Sequence, residues 1–85
     1  MPEKTVTVGS SIGLHARPAA IIAEAVVNSG AEVTLSIDGG EPVDAGSALM
    51  IMTLGAGHGA QVTVASEDEA ALATIADLVT QDLDA

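Results

Sequence analysis

Not one Phe, Tyr, Trp or Cys occurs in this chain of 85 residues. Any core must therefore be built from Ala, Val, Ile, Leu and Met. The missing cysteines exclude a disulfide scaffold, an iron–sulfur cluster, a thiolate zinc site and a cysteine nucleophile. Hydrophobic residues make up 48% of the chain, too many for a disordered acidic tail. The length predicts a single domain, residues 1–85. A secreted chain of this size more often carries disulfides, so the expected compartment is a reducing cytoplasm.

Two Lys+Arg stand against twelve Asp+Glu, a formal net charge of −10. That balance argues against nucleic acid and anionic membranes as partners, because both need a basic footprint. The stretch from Ala45 to Ser66 carries no charge, but glycines and polar residues break it and only Ala48–Leu54 is densely apolar. No membrane insertion is expected. Met1 to Lys4 lead straight into an alternating run, with no apolar signal core.

Lys4 to Val8 alternates with a period of two, Val6 and Val8 on one side and Thr5 and Thr7 on the other, and predicts a half-buried strand. From Ala16 the period changes, and Ala19, Ile22, Ala23 and Val26 share one helical face. Pro18 is tolerable only in a first turn, so this helix begins at His15 or Ala16. Asn28-Ser29-Gly30 ends it. Glu32 to Ile37 is a clean second strand, Asp38-Gly39-Gly40 a hairpin turn, and Glu41 to Val43 a short edge strand limited by Pro42. Asp44-Ala45-Gly46-Ser47 can start a short apolar helix through Leu54, ended by Gly55, and Gln61 to Ala65 alternates again. Ser66-Glu67-Asp68-Glu69 has the form of a capping box, opening a last helix to about Leu83 that buries Leu72, Ile75, Ala76 and Val79. The order β-α-β-β-α-β-α predicts an α+β sandwich on a mainly antiparallel sheet.

The tract Gly13-Leu14-His15-Ala16-Arg17-Pro18-Ala19 carries the chemistry. Arg17 is the only arginine, two residues from one of only two histidines. The first helical N–H groups, on Ala16, Arg17 and Ala19, are expected to lack intrahelical partners, and the aligned peptide dipoles favour an anion beyond them. A guanidinium adds donors suited to a phosphoryl group. Imidazole offers a nitrogen nucleophile near neutral pH. Residues two apart on a regular helix do not face each other, so convergence requires His15 in the non-helical cap position.

This tract resembles the active-site signature of HPr, the histidine-containing phosphocarrier family of the bacterial sugar phosphotransferase system. The resemblance extends over the whole chain, including Gly46-Ser47-Ala48-Leu49-Met50-Ile51-Met52-Thr53-Leu54-Gly55, and the acidic, Ala-rich composition is most similar to actinobacterial members. It implies an open-faced β-sandwich with a four-stranded antiparallel sheet and three helices on one face. It implies phosphorylation of His15 on Nδ1 by phospho-Enzyme I and transfer to IIA domains of sugar permeases, with Arg17 supporting and the Ala16 and Arg17 amides donating to the phosphoryl group. Such a chain is a carrier rather than an enzyme, needs no cofactor or metal, and is expected to be a monomer. Regulatory proteins are further partners of the family.

Ser47 occupies the family's second, regulatory phosphorylation position. Gly46 stands where a basic residue often precedes that serine, and Ser before an apolar run is an ordinary helix cap, which is the reading taken here. Ala20 on the first helix, with Ala48, Leu49, Met50, Met52, Thr53 and Ala56, is expected to form an apolar docking face beside His15, part of it shared with the core. Many members place lysines there; this chain has Glu24 and no lysine after Lys4. His58 sits in a Gly-rich loop without companion ligands and is read as a solvated loop residue.

Three other readings compete. An acyl carrier protein, with Ser47 as attachment site, would share the size and charge but not the alternating strands, and its serine normally follows Asp. A phosphatase using His15 would need further arginines. An HPr-like regulator without relay activity would keep the fold and fail phosphotransfer.

Overall fold

The computed structural model describes residues 2–37 and 40–83. The elements are β1 (Glu3–Thr7), α1 (Ala16–Ser29), β2 (Val33–Ile37), β3 (Val43–Asp44), α2 (Ala48–Thr53), β4 (Gln61–Ser66) and α3 (Glu69–Thr80). The strands form one four-stranded sheet in the order β1-β4-β2-β3, and every neighbouring pair is antiparallel. Central β4 pairs Val62 with Val6 on one side and with Ile37 on the other. The expected turn at Asp38-Gly39-Gly40 lies outside the described residues at positions 38 and 39.

Period-two patterning decides which face is covered. Val33, Leu35, Val62 and Val64 are fully buried, whereas Thr5, Thr7 and Gln61 on the alternate parity are exposed. The helices lie on the valine face, with α3 against β1 and β4, and α1 against α2 and α3. The open face is polar and pairs its own side chains: the Thr5 and Thr63 hydroxyls are 2.9 Å apart, and Gln61 Nε2 donates to Thr7 Oγ1 at 2.7 Å. The largest fully buried side chains are Ile22, Leu35, Ile51 and Ile75, the aliphatic core that a chain without rings requires. Among the described residues no helix is long and apolar enough to cross a membrane.

Helix α1 starts where Pro18 requires and stops at Gly30, which adopts φ 70°. The edge strand is shorter and later than expected, two residues at Val43–Asp44, beginning just after Pro42. The start of α3 corrects the sequence reading. Ser66 is not its cap; it continues the inward parity of β4, is fully buried, donates to the Glu32 carbonyl at 2.8 Å and accepts from the Asp68 amide at 3.1 Å. Asp68 caps instead, its Oδ1 accepting from the Ala70 and Ala71 amides at 3.0 and 3.1 Å. The helix ends at Thr80 rather than Leu83, and its buried face is Ala71, Ile75, Ala76 and Val79, with Leu72 only half-buried.

These roles separate in stability measurements. Asp68→Ala loses a helix cap, about 1 kcal/mol, and lowers Tm by roughly 5 °C. Ser66→Ala removes the partner of the part-buried Glu32 carbonyl and Asp68 amide, about 1–2 kcal/mol. Glu69→Ala stays within about 0.5 kcal/mol, because no capping box exists to break. Melting followed by circular dichroism checks all three; a Glu69→Ala loss as large as that of Asp68→Ala would restore the capping box.

Candidate functional site at the head of helix α1

The first helical turn decides what His15 can do. His15 is the N-cap of α1, in an extended conformation at φ −114° and ψ −153°, and its side chain makes no capping hydrogen bond. The imidazole is exposed and uncommitted. Its carbonyl accepts from the Ala19 amide at 2.8 Å, the first bond of the helix. That bond corrects one expectation, since the Ala19 N–H is spent inside the helix and is no donor to a ligand. Pro18 has no N–H, so two amides remain without a helical acceptor, those of Ala16 and Arg17. Arg17 is exposed, and no ion pair among the described residues holds its guanidinium. One helix end thus gathers a nitrogen nucleophile, two backbone donors, the positive end of a 14-residue helix and the chain's only arginine.

Backbone contacts fix this cap in place. Pro18 and Leu14, on either side of it, are buried. The Leu14 amide donates to the Ala56 carbonyl at 2.8 Å, and the Gly13 amide to the Ser10 carbonyl at 3.0 Å. Gly13 has φ +84°, and a Cβ there would lie 2.5 Å from the Ala56 carbonyl oxygen. Further back, a Cβ on Gly9 would lie 1.9 Å from the Thr80 carbonyl oxygen, and the Gly9 amide donates to Val79 at 3.0 Å. Buried Ser10 donates to the Gln81 carbonyl and accepts from the Leu83 amide, both at 3.3 Å. The loop before His15 is held at one end by the segment after α2 and at the other by the end of α3.

The other site residues separate by exposure. Ala20, Leu49, Met50, Met52 and Thr53 are exposed, and Ala48 is half-buried against the core. Ala56 is 6% exposed and belongs to the core, so its side chain adds nothing to a docking face; its contribution is the carbonyl that holds Leu14. Ser47 is the N-cap of α2, its Oγ accepting from the Met50 amide at 3.3 Å. His58 is exposed in the loop after α2, and among the described residues no group of three or more His, Asp or Glu could hold a metal. Two exposed apolar residues escaped the sequence reading, Ile12 and Val27. Val27 was detectable, because it falls at the margin of the face that Ala19, Ile22, Ala23 and Val26 share. A groove of about 250 Å³ between α1 and α3, lined by Ala25, Ser29, Asp68 and Thr74 among others, lies away from His15.

Residues 2–81 match the family model described as "PTS HPr component phosphorylation site". The chain belongs to the PTS HPr family. It is 42% identical to the phosphocarrier protein HPr of Streptomyces coelicolor, over 99% of this chain and 94% of the relative. It is 40% identical to the HPr of Haloferax volcanii over 91% of each chain. The crystal structure of an HPr from Bacillus anthracis superposes with a TM-score of 0.84 at 34% identity, covering 92% of this chain and 95% of that one. An HPr structure from Thermoanaerobacter tengcongensis gives 0.87 at 30% identity, covering 100% and 98%. The open-faced HPr sandwich is thereby the fold of this chain. An all-helical acyl carrier architecture is excluded by the four-stranded sheet.

The glycine at position 13 is testable. Gly13→Ala combines a left-handed backbone with a collision against the Ala56 carbonyl, about 2–4 kcal/mol together, and lowers Tm by about 10 °C or more. Gly57→Ala, where a Cβ meets nothing within 4 Å, changes Tm by no more than a few degrees. Equal losses in the two variants, measured by circular dichroism, would show that the contact does not constrain the loop.

Proposed function

We propose that this HPr-family chain is a working phosphocarrier, accepting a phosphoryl group on His15 Nδ1 from phospho-Enzyme I and passing it to IIA domains of sugar permeases. The observation that carries the proposal is the uncommitted, exposed His15 imidazole at the cap of α1, where the Ala16 and Arg17 amides have no helical partner. In the step itself the Nδ1 lone pair forms the new N–P bond as the donor's bond to phosphorus breaks, and that bond pair returns to the donor. The Ala16 and Arg17 amides and the Arg17 guanidinium hold the phosphoryl oxygens, aided by the helix dipole. These are fixed donors, so little reorganisation accompanies the charge that arrives. Running the step backwards onto an acceptor histidine or other nucleophile completes the relay.

The carrier role also suits the shape of the site. A convex, solvent-facing helix end can enter the active sites of larger proteins, whereas a nucleophile at the bottom of a pocket cannot. Leu49, Met50, Met52, Thr53 and Ala20, with half-buried Ala48, form the docking face beside it. The chain works in the cytoplasm as a monomer, needs no cofactor, and Ser47 serves as the cap of α2 rather than as a regulatory site.

Incubation with phosphoenolpyruvate, magnesium and a catalytic amount of Enzyme I from the same source tests this. Intact mass spectrometry should show one phosphoryl adduct that is lost in mild acid. His15→Ala abolishes it, Ser47→Ala retains it, and Arg17→Ala slows its formation about 10- to 100-fold, the worth of a hydrogen bond to a charged group. No adduct with the matched Enzyme I would leave an HPr fold used for binding alone.

A further inference from the structure

The large exposed hydrophobic residues of the described chain are Ile12, Val27, Leu49, Met50 and Met52, and every one lies on the loop before α1, on α1 or on α2. None lies on the sheet or on α3. Val27 and Leu49 are the most exposed, at 67% and 68%. Two anchors orient α2 against α1. A Cβ on Gly46, just before α2, would sit 3.8 Å from Val27 Cγ2, near the end of α1. Past the other end of α2, the Ala56 carbonyl holds the Leu14 amide, beside the start of α1. The two helices therefore run antiparallel, the start of α2 near Val27 and the segment after α2 near Leu14.

On this two-helix face charge is scarce. Helix α2 has no charged residue, and α1 has two, Arg17 and Glu24. Arg17, Ala20, Glu24 and Val27 follow one another at three- and four-residue spacing and are all exposed, so they share a stripe. Glu24 lies seven residues beyond Arg17, about 10 Å along the helix axis. Arg17 is engaged with the phosphoryl group in the proposed carrier, and among the described residues Glu24 forms no ion pair. A partner that covers the apolar residues on both sides of Glu24 strips water from its carboxylate, which is costly without a compensating cation.

We propose that Glu24 is a specificity determinant of docking, and that the phosphoryl donor meets this face with an apolar surface carrying a Lys or Arg opposite Glu24. This inference rests on the phosphocarrier reading. It predicts selection by charge sign at one point on an otherwise apolar contact, so an Enzyme I with an acidic group at that point is rejected.

The test is the initial rate of His15 phosphorylation by matched Enzyme I across a concentration series of carrier, read by intact mass. Glu24→Lys is expected to raise KM about tenfold or more with kcat unchanged, since like charges face each other only in the docked state. Glu24→Gln falls between Glu24→Lys and the parent. Glu3→Lys, an equal change of charge on the exposed edge strand β1, leaves KM unaltered. Unchanged melting curves exclude a folding effect. Phosphorylation of the parent shows that the carrier reading holds, whatever the variants do. An unaltered KM in Glu24→Lys, a lower KM in Glu24→Gln, or an equal shift in Glu3→Lys would overturn the role of Glu24.

Discussion

Backbone meets backbone along residues 9–14, and everything useful about His15 follows from that contact. At Gly9 and Gly13 the chain passes so close to the Thr80 and Ala56 carbonyls that no side chain fits between. The hydrogen bonds there, from Gly9 to Val79 and from Leu14 to Ala56, are short links in a region with no regular secondary structure. They replace the ladder that a strand would have provided. Because the loop is held at both ends, the N-cap of α1 is presented in one conformation without any side chain having to grip His15 itself.

That arrangement lets the imidazole stay free. An ordinary cap residue, such as Asp68 or Ser47 here, spends its side chain on the amides of its own helix. His15 does not, and Pro18 removes a further donor, so the amides of Ala16 and Arg17 are left without an acceptor in the helix. The helix end loses a little local stability and keeps two backbone donors uncommitted. Burial of Leu14 and Pro18 on either side, together with the backbone links, offsets that loss.

Much of this was legible beforehand for reasons that can be named. Pro18 and Gly30 bracket α1 because one cannot sit deep in a helix and the other readily ends one. Alternating valines marked the inward face of β4. The same alternation, carried one residue further, would have placed Ser66 inside, yet the Ser-x-x-Glu pattern drew the cap to it; burial against Glu32 outweighed the local motif. Ala56 reads equally as patch or core, since a methyl group carries little preference, and only its neighbours decide. The roles of Gly9 and Gly13 were not legible, because the atoms they approach lie in distant parts of the chain. The spatial order of the strands, β1-β4-β2-β3, was not legible either, because alternation marks which face of a strand is covered and not which strand lies beside it.

The clasp between Ser10 and the residues after α3 has a consequence for how the molecule is made. It joins positions 71 and 73 apart in sequence, close to the longest separation the chain offers. Closing so large a loop is an entropic cost borne late, and contacts of this span slow folding relative to local ones. On the ribosome, α1 and the β2–β3 ladder can gather early, but the ground beneath His15 is incomplete until the last turn of α3 has emerged. A chain released short of that point would carry its histidine on a loose loop, so maturation of the site doubles as a check that synthesis reached the end of the last helix.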